Sequence, residues 1–138
     1  MHPFDELSKN EQTQRLKEIA TVFFKLGFFA YGGPAAHTAM MNTELVNKRK
    51  WLSNEQFMDL LSASNLIPGP NSTELAISIG YDRGKVKGLI VAGIAFIFPA
   101  FLIVLIIAYF YTRYSTLPQL QSLLQAMTPV IIAIIINA

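Results

Sequence analysis

Residues 88–112 read GLIVAGIAFIFPAFLIVLIIAYFYT, twenty-five consecutive positions without a formal charge and rich in Ile, Leu, Val and Phe. About 20 such residues cross the hydrocarbon core of a bilayer as a helix, so this stretch alone predicts a membrane protein. Composition agrees. The 138 residues are 52% apolar and 14% charged, with a mean hydropathy of +0.39, which does not suit the surface of a small soluble domain. Gly84, Gly88 and Ala92 recur at a spacing of four, followed by Gly93, and form a small-residue face that admits another helix at close range. Pro99 is expected to kink the span.

Upstream, two Gly/Pro breaks interrupt apolar segments, Gly32-Gly33-Pro34 and Pro68-Gly69-Pro70. Backbone groups freed by such a break have no water partner in lipid, so they must face protein or line a cavity. Paired interruptions of this kind are the best sequence-level sign of a transporter site built from half-helices. Ser8-Lys9-Asn10-Glu11 and Ser53-Asn54-Glu55-Gln56 have the form of capping boxes and predict helix starts. Asn71-Ser72-Thr73-Glu74 resembles a third, with Glu74 closing the cap. Pro34 suits the first turn of a new helix, because its missing N–H would be unpaired there anyway.

Charge placement orients these pieces. Lys48-Arg49-Lys50 and Arg83, Lys85 and Lys87 form two basic stretches, whereas the loop after the long span offers Arg113. The positive-inside rule puts the amino end of the 88–112 helix in the cytoplasm, with Trp51 expected at headgroup level; if residues 48–50 lie on that side too, both basic stretches are cytoplasmic. Residues 54–82 then enter and return on one side. Each arm of about 11 to 13 residues reaches roughly 16 to 20 Å, about half a bilayer. The expected architecture is therefore all-α integral membrane, with two Gly/Pro-broken re-entrant helical hairpins followed by long transmembrane helices. The boundaries are a polar cytoplasmic helix start at 1–18, a first broken hairpin at 19–46, a second at 54–82, a transmembrane helix at 85–112 and the start of a return helix at 117–138. All belong to a single membrane domain, 1–138, expected to be incomplete at its carboxyl end. Two broken but spanning helices are the rival, and cysteine labelling at positions 48 and 85 separates them. Residues 1–18 lack the apolar core of a secretory signal, which implies a retained, cytoplasmic amino terminus on a multi-pass protein of the cell inner (plasma) membrane.

The chemistry implied is binding rather than catalysis. A helix amino terminus offers unpaired amides and a partial positive charge to an oxyanion. Candidate substrate-binding residues at the first break are Gly32, Gly33, Pro34, Ala35 and His37, and at the second Pro68, Gly69, Pro70, Asn71, Ser72 and Thr73. Glu74, Asp59 and Lys25 are candidates for coupling, since intramembrane ionisable groups mark ion paths. For each a plain alternative stands: Glu74 as a cap, Asp59 as a solvated interfacial carboxylate, Lys25 as a snorkelling anchor and His37 as a packed histidine. No metal-ligand spacing, nucleophile–base pair or phosphate loop is present, so no metal, cofactor or enzymatic activity is expected. With no cysteine, thiol chemistry is excluded. The basic stretches lack an aromatic reading platform, which argues against nucleic acid.

FFKLGFFAYGGPAAH at 23–37, KRKWLSNEQF at 48–57, NLIPGPNSTELAISIGY at 65–81 and GLIVAGIAFIFPAF at 88–101 together resemble the chromate ion transporter family. The likeness covers about residues 16–138 and corresponds to the amino-terminal part of one homologous half. It implies a secondary transporter that exports chromate, with sulfate as a related oxyanion. The partners implied are the lipid bilayer and a homologous half, in a homodimer or heterodimer. It also implies that Gly32, Gly33, Pro34 and His37 carry the first motif and Pro68, Gly69, Pro70 and Glu74 the second. Many members have glutamine where Glu74 stands, so a glutamine role does not carry over. A non-transporting assembly half, docking through the Gly84-Gly88-Ala92 face, and an anion channel are the alternatives.

Overall fold

A computed structural model describes residues 4–29, 33–66 and 69–114 and positions 129, 130, 132 and 133. The expected return helix at 117–138 lies almost wholly outside these residues. After a short 3-10 turn at Phe4–Glu6 come four helices, α1 (Lys9–Phe29), α2 (Gly33–Met41), α3 (Asn54–Asn65) and α4 (Asn71–Tyr114), and a π-helical turn, Asn42–Lys48, extends α2. Among the described residues there is no strand. The chain is an all-α membrane protein.

Local chemistry sets the helix starts. Glu11 accepts from the Ser8 backbone N–H at 2.9 Å, closing the cap before α1. At α3 the box is complete in both directions: the Ser53 amide donates to Gln56 at 2.9 Å, and the Gln56 amide donates to the Ser53 hydroxyl at 3.1 Å. The third box does not form. Pro70 takes the cap position, its carbonyl accepting from the Thr73 and Glu74 amides at 2.7 and 3.2 Å. Asn71 is thereby the first helical residue, and its side chain donates to Asn65 at 2.8 Å instead of capping.

Backbone dihedrals leave the helical region inside α4 only at Gly84 (φ −139°, ψ 16°) and Lys85 (φ 52°, ψ −145°), so α4 is two arms, 71–83 and 86–114, folded back on each other. Glycines allow their contact: a Cβ added at Gly80 would lie 2.5 Å from the Ala92 Cβ and 2.6 Å from the Gly88 carbonyl. One at Gly88 would run into the Gly80 carbonyl. The small-residue face is therefore filled by the chain's own preceding arm, and the assembly alternative loses the docking face assigned to it. Lys85 carries the strain of the turn, in a region that only glycine enters freely. Lys85→Gly is expected to stabilise the protein by about 1 kcal/mol, read as a higher midpoint of thermal unfolding in detergent.

The core gathers α1, α2, α3 and both arms around Phe23, Met41, Leu45, Trp51, Phe57, Leu75, Ile79 and Phe96. A Cβ at Gly27 would strike the Phe96 carbonyl, so α1 crosses the second arm at backbone contact. Outward from this core the second arm exposes Ile90, Ile94, Ile97 and Phe98. Among the described residues one helix is long and apolar enough to cross a membrane, and 22% of its most apolar window is buried. A core helix of a soluble protein would be mostly buried, so this exposure fits lipid.

Candidate functional site

The two breaks meet. Gly33 and His37 from α2 line one cavity of about 320 Å³ with Gly69, Pro70, Asn71, Ser72 and Thr73 from the second break, and Phe96 of the second arm closes it. Phe96 sits edge-on to the His37 ring, with centroids 5.5 Å apart, and edge-on to Phe23 at 6.5 Å. α2 and α4 both begin at this cavity, so two positive helix ends face one space.

The donors differ from a plain row of free amides. The Asn71 N–H donates to the Gly69 carbonyl at 2.9 Å, and that of Thr73 to the Pro70 carbonyl at 2.7 Å. What α4 presents is therefore its dipole together with the Ser72 and Thr73 hydroxyls and the Asn71 amide.

The other candidates are distributed around this cavity. Glu74 turns back over the break: a Cβ at Gly69 would lie 2.6 Å from its Oε1. Its Oε2 is buried and has no hydrogen-bond partner among the described residues. Ala35 lines a neighbouring cavity between α2 and α3. Lys25 lines a third, between α1 and α2, with Glu44 and Lys48. Asp59 is exposed on α3 and lines none of these. Gly32 and Pro68 lie outside the described residues, and Pro34 is described as backbone in α2.

The opposite end of the bundle is charged. Trp51 is buried at 8% exposure, because Phe23 packs beside it at 6.5 Å and the Arg83 guanidinium stacks over its ring at 4.0 Å. Arg49 approaches the same ring at 5.9 Å, and Arg83 reaches Glu18 of α1 at 3.3 Å. The 48–51 turn and the 83–85 turn thus share one indole. Glu44 pairs with Lys48 at 3.1 Å and Arg49 at 3.0 Å.

The family model for chromate transporters matches residues 17–138, a stretch that contains both breaks and every residue of the cavity. The chain belongs to the chromate transporter family. It is 32% identical over 123 residues to a chromate transport protein of Cupriavidus metallidurans, covering 89% of this chain and 31% of that protein. A probable chromate transport protein of Synechococcus elongatus is 32% identical over 135 residues, covering 98% of this chain and 34% of the relative. An uncharacterised transporter of Bacillus subtilis, YwrA, is 34% identical over 109 residues, 79% of this chain and 61% of its own length. The chain thus spans about a third of the length of the first two relatives. No solved structure matches it.

Within this family member, sequence reasoning missed Phe96 as a cavity residue. It is one of ten phenylalanines, and only the fold-back at Gly84-Lys85 brings it beside His37. No local pattern marks it.

Proposed function

We propose that the protein is a membrane subunit of a secondary transporter that exports chromate, or a related oxyanion such as sulfate, with the anion bound in the cavity between the two breaks. The observation that carries this reading is the convergence of Gly33 and His37 with residues 69–73 on one space. Two helix amino termini supply roughly half a positive charge each, and hydroxyl and amide donors add directed bonds without a buried cation. That compensates about half of a dianion. A co-moving proton would offset part of the remainder, proton movement or the membrane potential supplies the driving force, and Glu74, beside the cavity, is the candidate proton carrier.

Depth supports the same reading. Phe96 stands eleven residues after Lys85, which is roughly 16 Å along the second arm, against a hydrocarbon core of about 30 Å. With the Trp51 and Arg83 end in the cytoplasm, the cavity falls near mid-membrane and residues 19–46 and 54–82 are re-entrant. The amino terminus, whose Phe4, Leu16 and Ile19 lie against Gly84, is then cytoplasmic too.

The test is chromate flux in everted vesicles. Ser72→Ala combined with Thr73→Val removes two hydroxyl donors, each worth about 1 kcal/mol, so flux is expected to fall about 10- to 100-fold at equal amounts of inserted protein. Unchanged flux would remove the cavity from the mechanism.

A further inference from the structure

The cavity between α2 and α3, about 490 Å³, is lined on its polar side by Thr38, Asn42, Asn65 and Asn71. Asn71 also lines the cavity between the breaks. The two spaces therefore share a wall, and that wall is tied by one hydrogen bond, Asn71 Nδ2 to Asn65 Oδ1 at 2.8 Å. At the far end Asn42 donates to Asn54 at 3.1 Å and accepts from Asn47 at 3.4 Å. Those residues adjoin the basic turn 48–50. Asn42 also opens the π-helical turn Asn42–Lys48, a geometry that often marks functional positions in helices.

Resting on the functional reading above, we propose that the α2–α3 cleft is the aqueous approach by which the oxyanion passes between the basic end and the inner cavity, with the Asn65–Asn71 pair as the gate. An asparagine amide has two donors and two acceptor sites. The single bond between Asn65 and Asn71 leaves most of these to be met by solvent, and Asn65 is exposed. In hydrocarbon such groups carry a penalty of several kcal/mol each, so the cleft is wet rather than lipid-filled. Ala35, Ala39, Phe57, Met58 and Leu61 make most of its wall, and the polar groups set in that wall carry no negative charge. The α3 residues turned into it are Phe57, Met58, Leu61 and Asn65, while Asp59 is not among them; amides and one hydroxyl face the path, with no carboxylate. From Asn42 to Ala35 is seven residues, roughly 10 Å of helix, so the cleft runs along most of α2. Ala35, absent from the inner cavity, acquires a place in this one.

The absence of cysteine from the chain makes single introduced thiols clean reporters. In inside-out vesicles, Thr38→Cys and Asn42→Cys are expected to react with a membrane-impermeant, positively charged methanethiosulfonate at least about 100-fold faster than Ile90→Cys on the lipid-exposed face. Reaction at Asn42→Cys is expected to block chromate flux, and Asn65→Asp, placing a negative charge at the gate, to lower it at least about 10-fold with labelling at position 38 retained. Labelling of 38 and 42 no faster than of 90 overturns the aqueous cleft. Fast labelling with flux indifferent to both Asn65→Asp and modification at 42 overturns its use as the anion's route while leaving the inner site standing. A complete lack of chromate flux in the unsubstituted protein defeats the functional reading and the route with it, yet the labelling still reports whether the cleft holds water.

Discussion

Gly88→Val is expected to remove the folded protein from detergent extracts altogether, read as loss of the monodisperse peak in size-exclusion chromatography. The reason is what a side chain meets there. A Cβ at Gly88 runs into the carbonyl of Gly80, which is backbone and has no rotamer to escape into. Overpacking against movable side chains costs about 1 to 3 kcal/mol; against backbone, the arms 71–83 and 86–114 must separate. Gly88→Ala carries the same first atom and is expected to destabilise by more than about 2 kcal/mol. Gly93→Ala is the control, since its Cβ would meet only the Ile77 Cγ2 at 3.0 Å, a methyl that gives way, and the expected loss is under about 1 kcal/mol. Wild-type stability in Gly88→Ala would mean that the arms are not packed on each other. The consequence reaches function, because the hairpin is what returns Phe96 to His37 and closes the cavity.

Where the sequence was legible, the controlling interactions were local. The Ser8 and Ser53 caps are formed within four residues, and the hydropathy of 88–112 suffices to read a membrane helix. Positions of the helix breaks follow from proline and glycine alone. What escaped reading depends on contacts distant in sequence. Asn71 looks like a cap, but Asn65 competes for its side chain and Pro70 takes the position. Trp51 beside three cations gives no sign that Arg83, thirty-two positions on, covers its ring. The small-residue face was correctly read as a close-packing surface and wrongly given an external partner, since spacing reveals the face and not what covers it.

Trp51→Ala is expected to cost about 3 to 5 kcal/mol, as for other buried large aromatics, and to unfasten the charged end of the bundle. Three contacts converge on this indole, so the useful question is which one dominates. The ion pair between Arg83 and Glu18 is half in solvent, with the Glu18 side chain 43% exposed and that of Arg83 11%, and an exposed pair contributes at most about 1 kcal/mol. Stacking of the guanidinium on a buried ring at 4.0 Å contributes up to about 2 kcal/mol when desolvated. Glu18→Gln is therefore expected to matter little and Arg83→Lys to matter more, because a lysine keeps the charge near Glu18 but loses the planar stack. A double-mutant cycle between Arg83→Lys and Trp51→Leu isolates that stack: a coupling of about 1 to 2 kcal/mol in thermal unfolding is expected, and a coupling near zero would assign the end's stability to apolar packing against Phe23 alone. The functional readout separates further. Arg49 and Arg83 share the ring that holds turns 48–51 and 83–85 together, so loosening it moves the mouth of the α2–α3 cleft while leaving the residues between the two breaks in place. Arg83→Lys is accordingly expected to lower chromate flux about 3- to 10-fold with equilibrium chromate binding within a factor of about two, in proportion to a coupling of about 1 kcal/mol. Equal losses of both would place the contribution of Arg83 in the stability of the binding cavity itself.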